Sequence, residues 1–314
     1  MSERAVAAVI DWYEANKRDL PWREGRTSPW GVLVAEVMAQ QTPVARVAPQ
    51  WMAWMRRWPT PADLANAAPA DVITQWDRLG YPRRALRLRE CAIAVSTIHG
   101  GVVPADYQSL VALPGIGDYT ANALLAFAFG QRALVLDTNV RRVAARVFSG
   151  IANHPPHVTA TERAAIDAVT PGNDAGQAAA ATDSTTAGPR SRAAEFAQAL
   201  MELGAVVCRP APQCDDCPLA HLCAWRASGF PAAQQPARRP QVFTGTDRQA
   251  RGVAMKLLRE AGGTAVDAAT IHAAWHEHSQ MERALQSLVS DGLAEKTAAG
   301  EFHLPGRGQQ RSRN

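Results

Sequence analysis

Lysine is nearly missing from this 314-residue chain: Lys17, Lys256 and Lys296 are the only ones, and arginine supplies the rest of its 33 basic residues. The long stretch between Lys17 and Lys256 therefore offers no amine side chain for a Schiff base. Long apolar runs are missing too. None approaches the roughly 20 residues that a membrane span needs, so a membrane partner is not expected. A charged leader with an apolar core is also absent. Met1-Ser2-Glu3-Arg4 runs straight into an amphipathic stretch, and the expectation is a soluble cytoplasmic protein. Strand patterns are scarce before about residue 230, where Ala133-Leu134-Val135-Leu136 is too short and isolated to build a sheet. Nor are the cysteines spread as in a disulfide framework, since four of the five fall between 208 and 223.

What is present is helical periodicity. Helices are expected over about 3–16, 30–41, 44–57, 62–67, 70–77, 83–98, 106–111, 118–129, 138–148, 159–168 and 191–203. Residues 170–190 are rich in Ala, Thr, Gly and Asp and carry too little apolar surface to order themselves, which reads as a flexible insertion. Residues 231–245 read as a proline-rich linker. Beyond it, 246–305 reads as a separate unit with helices at about 247–261, 267–277 and 279–291. A hairpin of Leu293–Lys296 and Glu301–Leu304 closes it, in the manner of a winged helix, and 306–314 is a tail. Net charge is +4 and the pI about 9.0. That balance fits a polyanion partner. Arginine suits bidentate phosphate contact; a genome rich in arginine codons explains the bias equally well.

Cys208, Cys214, Cys217 and Cys223 are separated by intervals of five, two and five residues. Thiolates this close in sequence can wrap one metal centre. Paired zinc knuckles use two C-x2-C intervals, and only one interval here is two, which favours iron–sulfur. Cys91 reads as a small buried residue.

Leu113-Pro114-Gly115-Ile116-Gly117-Asp118-Tyr119-Thr120 precedes an apolar helix. Gly115 and Gly117 permit a tight turn with positive φ, and their amides with the following helix N-terminus can face a phosphate. Glu36 has Val32, Leu33, Ala39 and Gln40 as helical neighbours, so it sits on a mostly apolar stripe. Desolvation raises a carboxyl pKa and would keep Glu36 protonated near neutrality. Asp137 precedes Thr138-Asn139-Val140 and reads as a helix N-cap, a role that would also fix its orientation. Trp51, Trp54 and Trp58 recur at helical spacing and read as a core face. The runs Arg83-Arg84-Arg87 and Arg141-Arg142-Arg146 fit phosphate contacts or a solvated helix face. His272 and His276 read as surface histidines rather than metal ligands.

Several segments in order resemble the endonuclease III superfamily, and within it the adenine DNA glycosylase family. They are Leu20-Pro21-Trp22-Arg23, Glu36–Thr42, Leu79-Gly80-Tyr81, Leu113–Thr120, Asp137–Val143, Met201–Ala205 and the cysteine cluster. The resemblance implies an all-helical helix-hairpin-helix fold. A six-helix barrel would occupy 26–135, and an iron–sulfur helical domain would be built from 1–25 and 136–230. It implies a DNA repair enzyme, acting as a monomer on duplexes with adenine opposite 8-oxoguanine or guanine. By position, Glu36 is the proton donor and Asp137 the anion facing the sugar, with Tyr119 and Asn139 in support. Arg23 and Gln198 would line the base pocket, Gln41 and Tyr81 would wedge into the stack, and Gly115 and Gly117 would grip the backbone. The four cysteines would hold a 4Fe-4S cluster. Endonuclease III relatives that cut the backbone carry a lysine where Tyr119 stands, so a monofunctional glycosylase is expected. The family's usual Nudix-like C-terminal domain is larger than 246–305.

Overall fold

The structure, a computed structural model, describes residues 3–23, 27–172, 191–233 and 243–306. Most of the 170–190 insertion, most of the 231–245 linker and nearly all of the tail lie outside the described residues. The elements are α1 (Glu3–Asn16), α2 (Pro29–Ala39), α3 (Val44–Arg57), α4 (Pro61–Ala65), α5 (Pro69–Trp76), α6 (Arg83–Ile98), α7 (Tyr107–Ala112) and α8 (Asp118–Phe127). Then come α9 (Thr138–Ser149), α10 (Ala160–Val169), α11 (Arg192–Val206) and the short α12 (Ala224–Ala227). The last are α13 (Asp247–Glu260), α14 (Ala268–Ala273), α15 (His278–Ser290), β1 (Glu295–Lys296) and β2 (Phe302–His303).

Local chemistry sets many of these boundaries. Side chains of Thr60, Asp106, Asp137, Thr159, Ser191 and Asp267 each accept a hydrogen bond from a first-turn amide. Proline opens α4 and α5, where its missing N–H costs nothing. No helix among the described residues is long and apolar enough to cross a membrane.

The chain divides into two units. The first joins 1–37 to 102–237. Its core interlocks Val6, Val9 and Tyr13 of α1, Val143 and Val147 of α9, and Phe196, Leu200 and Leu203 of α11. The second joins 38–101 to 238–314. Residues 26–135, read above as one barrel, are thus shared between the units, because α8 packs on α11.

In the second unit Trp54 meets Trp58 and Trp76 edge-on at 4.6 and 5.6 Å between centroids. The tryptophan repeat is therefore core. Residues 246–305 form helices followed by a hairpin in which Glu295 pairs with His303, and a further bridge joins Val266 to Phe302. They do not stand apart, however. Ala70 and Ile73 of α5 belong to the same apolar cluster as Met255, Leu258, Leu285 and Phe302. The Ala70 amide donates to the Pro305 carbonyl at 3.1 Å. Burial of α5 against this module is a long-range event that linker composition does not reveal.

Candidate active site

Glu36 lies on α2 between fully buried Leu33 and Met38 and is itself only 8% exposed. Burial pushes its carboxyl pKa up from 4.5 to about 7. A hydrogen bond from Tyr119 opposes the shift, the nearby Asp137 charge adds to it, and Arg23 opposes it. Tyr119 Oη donates to Glu36 Oε2 at 2.9 Å. The phenol is itself pushed well above its usual pKa by burial and by the two carboxylates, so it remains a donor.

Asp137 ends the segment before α9 and caps it. Its Oδ1 accepts from the Val140 amide at 2.6 Å, and its Oδ2 accepts from Asn139 Nδ2 at 2.7 Å. Burial raises its pKa as well, but the Val140 and Asn139 hydrogen bonds and the Arg142 charge resist the shift. Glu36 has one hydrogen-bond donor against this set. Burial thus acts on both carboxyls, and Asp137 has more groups that favour its charged form than Glu36 has. Asn139 is oriented in turn, since its Oδ1 accepts from Arg142 Nη2 at 2.8 Å. Gly204 of α11 passes so close that a Cβ there would lie 2.6 Å from the Asn139 carbonyl oxygen.

Arg23 and Gln198 are both buried. Arg23 Nη2 donates to Glu202 Oε2 at 2.6 Å, and Gln198 Oε1 accepts from Tyr13 Oη at 3.0 Å. The Arg23 guanidinium also stands over the Tyr13 ring, 5.6 Å from its centroid. Glu202 is fully buried and binds Arg18 as well, at 2.6 Å to Nε and 2.9 Å to Nη2. Burial alone would raise its pKa, yet the two guanidiniums and the Arg18 amide overcome that and hold it at about 2. The sequence reading missed Glu202. Its helical neighbours Gln198, Ala199, Ala205 and Val206 carry the same signal that singled out Glu36.

The four clustered cysteines come together. Cys208, Cys214, Cys217 and Cys223 line one pocket whose walls include Val143, Leu203, Arg146 and Trp225. Among the described residues no three His, Cys, Asp or Glu groups converge to hold a single metal ion. Each thiolate of an iron–sulfur cluster instead binds its own iron, so four thiols spaced around a cavity fit that donor set. Arg146 Nη1 lies 3.5 Å from Cys208 Sγ and donates to the Arg209 carbonyl at 2.7 Å. Arg142 Nε donates to the Cys208 carbonyl at 2.6 Å, so one guanidinium joins this loop to Asn139.

Arg141, Arg142 and Arg146 are thus neither a solvated face nor phosphate contacts. All three are buried, and Arg141 forms a bidentate pair with Glu162 at 2.7 and 2.8 Å. The turn before α8 also corrects its reading. Gly115 adopts φ 79°, but Gly117 has an extended φ of −102°, and a Cβ there would meet nothing within 4 Å. Gly117 therefore leaves the helix N-terminus uncovered rather than making the turn.

In the second unit, Gln41 and Tyr81 both take left-handed backbone, φ 54° and 47°. Gln41 falls just past the end of α2, which stops two residues short of the expected boundary. Arg84 ties the two loops together. Its guanidinium donates to the carbonyls of Met38, Gln40 and Gly80 at 3.2, 2.7 and 3.1 Å. It therefore serves as a structural cross-link, while Arg83 pairs with Asp291 and Arg87 with Glu90.

Residues 34–167 match the family described as HhH-GPD superfamily base excision DNA repair protein. The chain is 47% identical over 302 residues to the adenine DNA glycosylase of Mycobacterium tuberculosis, covering 96% of this chain and 93% of that one. It is 46% identical over 303 residues to the adenine DNA glycosylase of Mycolicibacterium smegmatis, covering 96% of each. The human adenine DNA glycosylase is 39% identical over 228 residues, which cover 69% of this chain and 38% of the human one. Among solved structures, a thermostable thymine-DNA glycosylase matches with a TM-score of 0.59 at 26% identity, over 71% of this chain and 95% of its own. A non-covalent endonuclease III–DNA complex matches with a TM-score of 0.55 at 21% identity, over 73% and 99%, and so shares the fold.

Proposed function

The chain belongs to the adenine DNA glycosylase family of the HhH-GPD superfamily, and from that premise we propose that it hydrolyses the N-glycosidic bond of adenine opposite 8-oxoguanine or guanine in duplex DNA. The product is an abasic site, and the enzyme works as a monomer. The observation that carries this reading is the Tyr119–Glu36 hydrogen bond at 2.9 Å beside the capped Asp137. Adenine leaves poorly until a ring nitrogen is protonated, and Glu36, with its pKa raised to about 7, keeps a large protonated fraction near neutrality. Loss of the base leaves a cationic, oxocarbenium-like sugar, and Asp137 is a fixed anion for it.

The base reaches this site only by leaving the helix, at a cost of roughly a few kcal/mol. Gln41 and Tyr81 fill the gap. Their left-handed backbone, locked by Arg84, supports that task by projecting both side chains from rigid loops. Arg23 and Gln198 line the base pocket, with Arg23 oriented by Glu202. Gly115 and Gly117 offer backbone amides to a phosphate at the start of α8.

Cys208, Cys214, Cys217 and Cys223 hold a 4Fe-4S cluster in the cavity they line. Binding it through these four thiolates would cross-link the 208–223 loop. Strand cleavage is not part of the reaction. The sole lysine in the first unit, Lys17, is ion-paired with Glu14, and Tyr119 stands where lyase relatives have their amine.

The test is base release from duplexes carrying A opposite 8-oxoguanine, G or C, followed by borohydride trapping. Adenine release from the first two, with no trapped adduct, is expected. Efficient trapping would mark a lyase, and no release from any duplex would end the assignment.

A further inference from the structure

The carboxy-terminal module reaches the loop of Tyr81. Arg248, in the first turn of α13, holds its guanidinium over the Tyr81 ring, 4.7 Å from the centroid, and over the Phe243 ring at 5.8 Å. Arg84 approaches the same Tyr81 ring at 5.8 Å. These rings are not core: Tyr81 is 46% exposed and Phe243 52%. Arg248 is exposed as well, and among the described residues its charge meets no carboxylate; the neighbouring Asp247 is taken by Arg283 and Gln280.

The segment that presents Phe243 and Arg248 is itself fixed. Gln280 is buried, accepts from Trp275 Nε1 at 2.8 Å, and donates to the Gly245 carbonyl at 3.0 Å and Asp247 Oδ1 at 2.8 Å. Thr246 Oγ1 donates back to the Phe243 carbonyl at 2.7 Å. A rigid mount thus carries two exposed rings and an unneutralised guanidinium in one ladder. Aromatic rings and guanidinium planes are the groups on which unpaired bases stack.

We infer that Arg248 is a positioning residue for base extrusion. It steadies the Tyr81 ring in its strained loop, and with Phe243 it extends the wedge onto the carboxy-terminal module. The small module thereby takes part in the reaction. This rests on the reading of Tyr81 as a wedge.

The test uses the full chain and two duplexes, one with 2-aminopurine opposite 8-oxoguanine, whose fluorescence rises when the base unstacks, and one with adenine in that place to read base release. Arg248→Ala is expected to cut the extrusion signal and single-turnover adenine release about fivefold, and Arg248→Lys to recover only part of it because the planar stack is lost. The pH dependence of release stays unchanged, since Glu36 is untouched. In a Tyr81→Ala background, Arg248→Ala should cost less than about twofold more. Full extrusion by Arg248→Ala would overturn the inference, as would an undiminished penalty in the double variant or an equal loss of binding to undamaged duplex. If Tyr81→Ala alone extrudes normally, the wedge reading fails and takes this inference with it. If Tyr81→Ala is impaired and Arg248→Ala is not, only the inference falls.

Discussion

Tyr119 Oη donates to Glu36 Oε2 across 2.9 Å, and that bond holds the Glu36 pKa below where burial alone would put it. Its consequence is a pH profile. In the proposed mechanism release needs the acid form, so the single-turnover rate should fall as pH rises through about 7. Tyr119→Phe removes a contact that favours the carboxylate, so it should move that falling limb to higher pH. Glu36→Gln should lose release by about 10²–10⁴-fold while keeping duplex binding. Stability follows the same proton. The folded state favours protonated Glu36, so this contribution is full below the usual 4.5 and is lost as pH rises through about 7. Glu36→Gln should therefore gain stability over wild type across that interval. An unmoved limb in Tyr119→Phe would contradict the coupling.

Asp137 caps α9, and the proposed mechanism also makes it the anion facing the sugar; one substitution can separate the two roles. Asp137→Asn keeps an oxygen that can accept from the Val140 amide, so α9 should stay capped and stability should change by no more than about 1 kcal/mol. The fixed negative charge is gone, and single-turnover release should fall by about 10²–10³-fold. A variant that unfolds, rather than one that is folded and slow, would reduce Asp137 to a cap.

The cysteine cavity predicts a metal count. The purified chain should carry about four iron and four sulfide per molecule. Cys217→Ser should lose most of both and unfold at lower temperature, because the loop from Cys208 to Cys223 would lose its metal cross-link and keep only weaker ties such as Leu219 in the core and Arg146 to the Arg209 carbonyl. One zinc per chain in place of iron would show that the thiols can close on a single ion.

Much of this was legible in the sequence because it is local. Caps such as Asp137 and Ser191 announce their helices within four residues. Glu36 betrays its burial through the neighbours on its own turn. The cysteines lie so close along the chain that they could hardly avoid one another. What stayed hidden depends on partners far along the chain. Arg142 looks like a free cation until the Cys208 carbonyl is brought to it, and Arg141 until Glu162 is. The two-residue shortening of α2 follows from Gln41 adopting φ 54°, which Arg84 enforces from another helix. The carboxy-terminal module reads as separate because nothing in Ala70 or Ile73 names the helices that bury them.

Glu202 offers the sharpest stability test, because its buried charge is shared by two guanidiniums. The folded-state carboxyl titrates at about 2 against a usual 4.5, so the folded state prefers the anion. Its stabilisation is present above the usual value and is lost as pH falls from about 4.5 through about 2. Glu202→Gln keeps the shape but strands Arg23 and Arg18, so it should cost about 3 kcal/mol near neutral pH. The gap to wild type should close as the urea midpoint is followed downward in pH. Freed from Glu202, the Arg23 charge should act more strongly on Glu36 and draw its pKa down. The falling limb of adenine release would then shift to lower pH, opposite to the shift in Tyr119→Phe. A stability gap that does not vary with pH, or a limb that moves upward, would mean that Glu202 holds Arg23 by packing rather than by charge.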